Sequence, residues 1–211
     1  MLTMDREKVA KQRSAVLYEF YKRNPLEWLR DCVKTIDEHD EQAPVKAFPM
    51  APYVKPIVNE WEKESVLHIA KSRQMVLSWL GICMLLHEAQ FYGFRLEAVF
   101  SKKEEDAHAL VERAKFVYDH QPLWLRNICS LDRKMRDQPY GNLHFKNGSK
   151  IKGLAQGKDQ VRSYVPSTSL IDEAAFQDKF EETYGACVPC SKKIVTISSA
   201  DAGFFQRLCE L

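Results

Sequence analysis

The chain has 211 residues, 45% of them apolar and 28% charged, with a formal net charge of +2. This is the profile of an ordinary globular protein with room for one full core, or for a large domain and a small appendage; no stretch is apolar and long enough to span a bilayer. Residues 1–11 are charged early and lack a continuous apolar run, so neither a membrane span nor a secretory signal is expected and the setting is cytoplasmic, while a charge so near zero leaves any DNA contact to local patches.

Residues 4–23 are predicted to form a helix, with Val9, Val16, Leu17, Phe20 and Tyr21 on a partial apolar stripe. Asn24-Pro25-Leu26-Glu27 then reads as a second helix start: Asn as cap, Pro at the first helical position, Glu reaching back. That helix carries Leu26, Trp28, Leu29 and Val33 and fades near Asp37. Pro44, Pro49, Pro52 and Pro56 mark residues 40–56 as a linker or extended segment, followed by a helix from about Ile57 to Lys63. Residues 65–70 (SVLHIA) are short and mostly apolar, as a buried strand is, and Leu77 to Phe91 is strongly helical. Leu96 to Phe100 is the next strand, and Ser101-Lys102-Lys103-Glu104 reads as a capping box opening a helix to about Asp119. Two strand-then-helix units favour a parallel sheet.

Asn147-Gly148, flanked by residues 142–146 and 149–153, predicts a hairpin. Ser169-Leu170-Ile171 is a short strand ending in Asp172-Glu173, Asp178 and Glu181 open another helix, residues 193–198 form a further buried strand, and a last helix starts near Phe204. The six cysteines are scattered. Cys187-Val188-Pro189-Cys190 has the spacing of half a zinc site or a redox pair, but no second pair completes one, which leaves two thiols near a helix end.

Three segments carry the chemistry. The first is the loop from Ala70 to Trp79, between a strand and a helix, where unpaired backbone N–H groups and the positive helix end suit a phosphate. Ser78, in the first helical turn, is placed to ligate magnesium; Lys71 is the loop's lysine and Arg73 adds a second cation. The usual G-x-x-x-x-G-K-[ST] ending is replaced by Val76-Leu77-Ser78. The second segment is the apolar strand ending in Asp172-Glu173, where the Asp can hold a magnesium ion and the Glu can act as base on a water. The third is residues 195–200 (VTISSA), whose hydroxyls can sense a γ-phosphate. Taken alone, each has a plain structural reading: a turn, a capped helix, a core strand. Their order, each after a buried strand, is what an ATPase sheet requires.

Lys71-Ser72-Arg73-Gln74-Met75, residues 170–176 (LIDEAAF) and residues 196–200 (TISSA) resemble the large terminase subunit of tailed phages, the DNA-packaging motor. Residues 98–101 (AVFS), Gln121 to Leu125, Gly153-Leu154 and Val161-Arg162 share that likeness, which covers roughly residues 45–205. The resemblance implies an α/β P-loop NTPase of the ASCE type, with a mainly parallel central sheet flanked by helices. Residues 1–43 would be a small helical lid or linker and residues 44–211 the ATPase domain. It implies ATP and Mg2+ as ligands, with Lys71, Ser72, Gln74, Met75, Val76, Leu77 and Ser78 in the phosphate loop and Tyr53 stacking on adenine. Ser78 and Asp172 would hold the metal; Glu173 would be the base; Arg73 and Arg162 would supply transition-state charge, Arg162 across a subunit boundary; Thr196 and Ser198 would couple hydrolysis to movement.

Partners implied by the likeness are double-stranded DNA, a portal protein and a small terminase subunit. A ring of copies is implied when assembled, with a monomer in isolation, in the host cytoplasm at a procapsid and with no membrane. The loop's lack of glycine departs from the pattern, and Val54 rather than Gln follows Tyr53. The family's ribonuclease-H-like nuclease domain is not expected within 211 residues, so no nuclease activity is. Two rivals remain: a degenerate relative that binds nucleotide weakly or not at all and serves in assembly, and a helicase-like translocase. Arg133, Lys134 and Arg136 form a basic cluster that reads either as a solvated loop or as a DNA contact.

Overall fold

The computed structural model of the protein describes residues 2–37, 39–72, 75–132 and 140–210, with side chains from residue 8 onward. Helices α1 (Leu2–Arg23) and α2 (Pro25–Cys32) lead into a small antiparallel ribbon, β1 (Lys34–Ile36) with β2 (Val45–Ala47). Then follow α3 (Val54–Lys63), β3 (Val66–Lys71), α4 (Leu77–Phe91), β4 (Leu96–Ser101), α5 (Glu104–His120) and α6 (Leu123–Ile128). The chain continues with β5 (Asn142–His144), β6 (Lys150–Ala155), α7 (Lys158–Arg162), β7 (Thr168–Asp172), a 3-10 turn at Ala174–Phe176, α8 (Phe180–Cys187), β8 (Lys193–Ser199) and α9 (Phe204–Cys209).

Among the described residues the main sheet has six strands in the order β3-β8-β7-β4-β6-β5. All neighbours are parallel except the hairpin β5–β6. Strand β3 therefore lies at one edge, and β8 separates it from β7. The hairpin follows from Asn147-Gly148: Gly148 holds φ +85, and the Asn147 side chain donates to the Ala89 carbonyl.

Helices cover both faces, as a buried parallel sheet requires. Val99, Ile151, Leu170, Val195 and Ile197 face the layer containing α4 and α5. The alternate residues Ala98, Phe100, Leu154, Ile171 and Ile194 face α7, α8 and α9. Helix α4 is buried almost all round, because α1, α2 and α3 cover the side turned from the sheet: Trp28, Leu29 and Trp61 share its core. Helix α5 sits so close on β6 that a Cβ on Gly153 would lie 2.9 Å from the Ala107 backbone.

The main elements fall where the sequence places them; several details differ. Ser101 is the last residue of β4 rather than a cap, and α5 starts after Lys103 with no side-chain cap. Asn24 turns back and donates to the Phe20 carbonyl instead of capping α2. Helix α2 ends at Cys32, and the proline-rich stretch contains β2, which pairs with β1. Helices α6 and α7 were not expected. The N-terminal helices pack on the far end of α4: Tyr18 against Phe91, and the neutral His87 Nε2–H donating to the Tyr21 carbonyl at 2.9 Å. That is the end of α4 away from the loop before Leu77.

Candidate functional site

The carboxyl ends of β3 and β7 and the first turn of α4 meet at one end of the sheet. Asp172, the last residue of β7, is 5% exposed and accepts a hydrogen bond from the Ser78 hydroxyl at 2.9 Å. The Lys71 ammonium, 9% exposed at the end of β3, donates to Glu173 Oε1 at 3.0 Å. The early loop and the late acidic pair, about a hundred residues apart in sequence, thus interlock side chain to side chain. A cleft of about 500 Å³ opens here, lined by Ser78, Lys102, Asp106, Arg113, Asp172 and Glu173 among others.

Burial pushes the Asp172 carboxyl up to about 6; the Ser78 hydrogen bond opposes this, the Glu173 charge adds to it, and Lys71 and Arg113 oppose it. A cation beside Asp172 would hold it ionised. The donor set, a carboxylate and a hydroxyl, is hard oxygen of the kind Mg2+ takes, so the residues present fit that ion.

Backbone strain accumulates on both sides of the cleft. Glu173 is left-handed at φ 51, and the turn that follows is pinned from two sides. The Ala175 N–H donates to Ser198 Oγ at 3.0 Å, and Gln177 Nε2 donates to the Asp172 carbonyl at 2.7 Å. Val76, which precedes α4, is also left-handed at φ 56, a conformation costly for a β-branched residue. The chain therefore keeps a glycine-like backbone where the sequence lacks glycine. Val76→Gly is expected to stabilise the fold by about 0.5–1 kcal/mol, the relief of a left-handed side chain less the added freedom of the unfolded chain. Urea denaturation checks this: an unchanged or lower midpoint would mean the loop carries no strain at Val76.

The other residues singled out from sequence are divided. The Tyr53 hydroxyl donates to the Met75 carbonyl at 2.7 Å, so the ring props the loop from α3. Ser72 is exposed, Met75 half-buried and Leu77 buried in the core. Arg73 and Gln74 lie outside the described residues, as do Arg133, Lys134 and Arg136. Thr196 does not face the cleft: it bonds His68 Nδ1 at 2.7 Å across β3–β8, on the α8 side of the sheet. Ser198 on the same side supports the Glu173 turn instead. Arg162 is exposed on α7 and is not among the residues lining the cleft. The Cys187 thiol is buried and pushed up to about 11, which keeps it protonated and unreactive.

Arg113 was missed. Its guanidinium lies 5.3 Å over the Trp79 ring, beside Ser78, and it lines the cleft from α5. The signal was the spacing Asp106, Leu110, Arg113 on one helical face next to the acidic strand.

A scan against protein-family models and a comparison with curated proteins find no match. Solved structures do match. The large terminase of bacteriophage HK97 aligns with 86% of this chain at a TM-score of 0.62 and 13% identity. The chain shares its fold with a phage large terminase. It is an α/β fold with a mainly parallel central sheet flanked by helices, in which β8 lies between β3 and β7. The chain spans 38% of the length of the HK97 protein. The large terminase ATPase domain of Thermus phage P74-26 aligns at 13% identity and a TM-score of 0.46, over 68% of this chain and 63% of that one. A large terminase from another thermophilic bacteriophage aligns at 11% identity and a TM-score of 0.47, over 71% of this chain and 39% of that one. Of these three, the HK97 alignment is the one close enough to define the shared fold.

Proposed function

We propose that this chain is the ATPase region of a phage large terminase, hydrolysing ATP with Mg2+ to drive double-stranded DNA into a procapsid. One observation carries the reading: the Lys71–Glu173 and Ser78–Asp172 contacts meet at one cleft at the carboxyl ends of the strands. Either pair alone is commonplace; a basic loop, a helix-start hydroxyl and two carboxylates around one cleft suit a metal-bound triphosphate.

In this reading Ser78 and Asp172 hold the metal, whose charge would stabilise the phosphate oxygens in the transition state. Lys71 turns from Glu173 to the β- and γ-phosphates. Glu173, released from the ammonium, accepts a proton from the attacking water; the new bond joins water oxygen to the γ-phosphorus, and the bond to the bridging oxygen breaks. Arg113 adds positive charge from α5, and Arg73 and Arg162 remain candidates for the transition state, Arg162 from a neighbouring copy. A portal protein, a small terminase subunit and a ring of copies in the host cytoplasm complete the proposal. A non-hydrolysing nucleotide-binding relative is the second reading, favoured by the same Lys71–Glu173 pair, which ties the two groups to one another.

Calorimetric titration of ATP and magnesium tests it. Lys71→Ala is expected to weaken ATP binding by roughly 10- to 150-fold, the worth of a hydrogen bond to a charged group. Wild-type protein that neither binds ATP nor releases phosphate with DNA present would defeat the proposal.

A further inference from the structure

A second concave surface, of about 410 Å³, lies at the opposite end of the sheet from the nucleotide cleft. It forms where the amino ends of β4 and β6 meet the hairpin strand β5, and its lining includes Phe94, Arg95, His144, Lys150, Lys152 and Tyr164. Cross-strand register explains the grouping. His144 pairs with Lys150, and Asn142 with Lys152, so alternate residues put both lysines and the imidazole on one face.

The charges there are not cancelled equally. Arg95 is committed to Glu88 and Glu97. Lys150 is exposed, and Lys152 bonds the Tyr164 hydroxyl with its ammonium 4.5 Å over the Tyr164 ring. Neither lysine forms an ion pair among the described residues. The His144 imidazole pKa is lowered, by burial first and then by Lys150, with Asp132 opposing and Lys152 adding a smaller share.

Phe94 adds an independent observation. It is 89% exposed and left-handed at φ 58, held there by its N–H to the Asn147 carbonyl and by the hairpin glycine, where a Cβ would come within 2.7 Å of the ring. Its local contacts cover little of the ring, which leaves a large apolar surface in water on a left-handed backbone. An exposed aromatic beside uncancelled lysines is the combination that binds nucleic acid: cations take phosphates and the ring lies against sugar or base.

We infer that this face, through Lys150, Lys152 and Phe94, binds the sugar-phosphate backbone of DNA at the pole of the sheet opposite the nucleotide cleft. The two lysines stand about 6.6 Å apart along β6, of the order of the step between neighbouring phosphates. The inference holds whether or not the cleft hydrolyses ATP, so it is tested without nucleotide.

Fluorescence anisotropy with labelled duplex and single-stranded oligonucleotides compares the wild type, a Lys150→Glu/Lys152→Glu pair, and a control pair, Lys55→Glu/Lys158→Glu. The hairpin pair is expected to weaken binding at least roughly tenfold near 0.1 M salt and to lower the slope of log K against log salt by about two; the control pair leaves both close to wild type. Lys150→Gln/Lys152→Gln, which keeps side-chain size, gives the same direction should reversal disturb the hairpin, and circular-dichroism melting verifies folding. Phe94→Ala is expected to weaken the single-stranded complex more than the duplex. The inference is overturned if the wild type binds neither oligonucleotide at low salt, if both hairpin pairs bind as the wild type does, or if the control pair loses as much.

Discussion

With Glu173 replaced by Gln, steady-state phosphate release from ATP is expected to fall by roughly two to four orders of magnitude, while ATP binding is retained or tightened. Gln fills nearly the same volume and accepts no proton, so the loss reports the base. The tightening comes from Lys71. In the wild type its ammonium bonds a carboxylate at 3.0 Å and must leave it to reach a phosphate; a neutral amide competes less. The two readouts together separate roles. A residue that only shaped the cleft would lower binding and turnover alike, whereas loss of the base lowers turnover alone. Wild-type turnover in Glu173→Gln would remove Glu173 from the chemistry and leave the contact with Lys71 structural.

The second large effect is on stability and lies far from the cleft. Glu97, at the start of β4, is 0% exposed; one oxygen accepts from Arg95 Nε at 3.1 Å and the other has no hydrogen-bond partner among the described residues. Arg95 also bonds Glu88, which accepts from Trp61 Nε1 at 2.8 Å and from the Thr168 hydroxyl at 2.7 Å. Burial, then the Glu88 charge, push the Glu97 carboxyl up to about 8, against the pull of Arg95. The ordinary value is 4.5, so between these limits the folded chain holds a proton that the unfolded chain has lost, and stability falls as pH rises. His87 has the opposite slope: burial lowers it to about 4, so its contribution is present above 6.5 and lost on acidification. Asp172, raised to about 6, shares the Glu97 slope at lower pH, and His87 opposes both below 6.5. From pH 6.5 to 8 the wild type is expected to lose between about 1 and 2 kcal/mol relative to Glu97→Gln, because the folded chain has given up half of that proton by pH 8. Urea titrations at the two pH values read this; parallel losses would mean Glu97 is ionised throughout.

What could be read from the sequence was what local patterns encode. The strand–loop–helix at residues 66–91, the Asp172-Glu173 strand end and the Asn147-Gly148 turn each depend on neighbours in sequence, and each lies where expected. What failed depended on distant partners. Ser101 had a capping signature, but β4 runs through it because β6 and β7 flank that strand on both sides. Thr196 looked available for a phosphate until β8 inserted beside β3 and offered it His68. Glu88 and Glu97 drew no reading from the sequence, since periodicity does not reveal that Arg95 and Trp61 would meet them in the interior. Arg113 belonged to a polar helix face until the fold turned that face onto the acidic strand.

Strand β3 lies at the rim of the sheet, bonded to β8 on one side, and its first residue, Val66, is 44% exposed. Free strand rims recruit other polypeptides by backbone pairing, and this one ends in the lysine that reaches the acidic pair. Self-association of purified protein would accordingly begin beside Lys71.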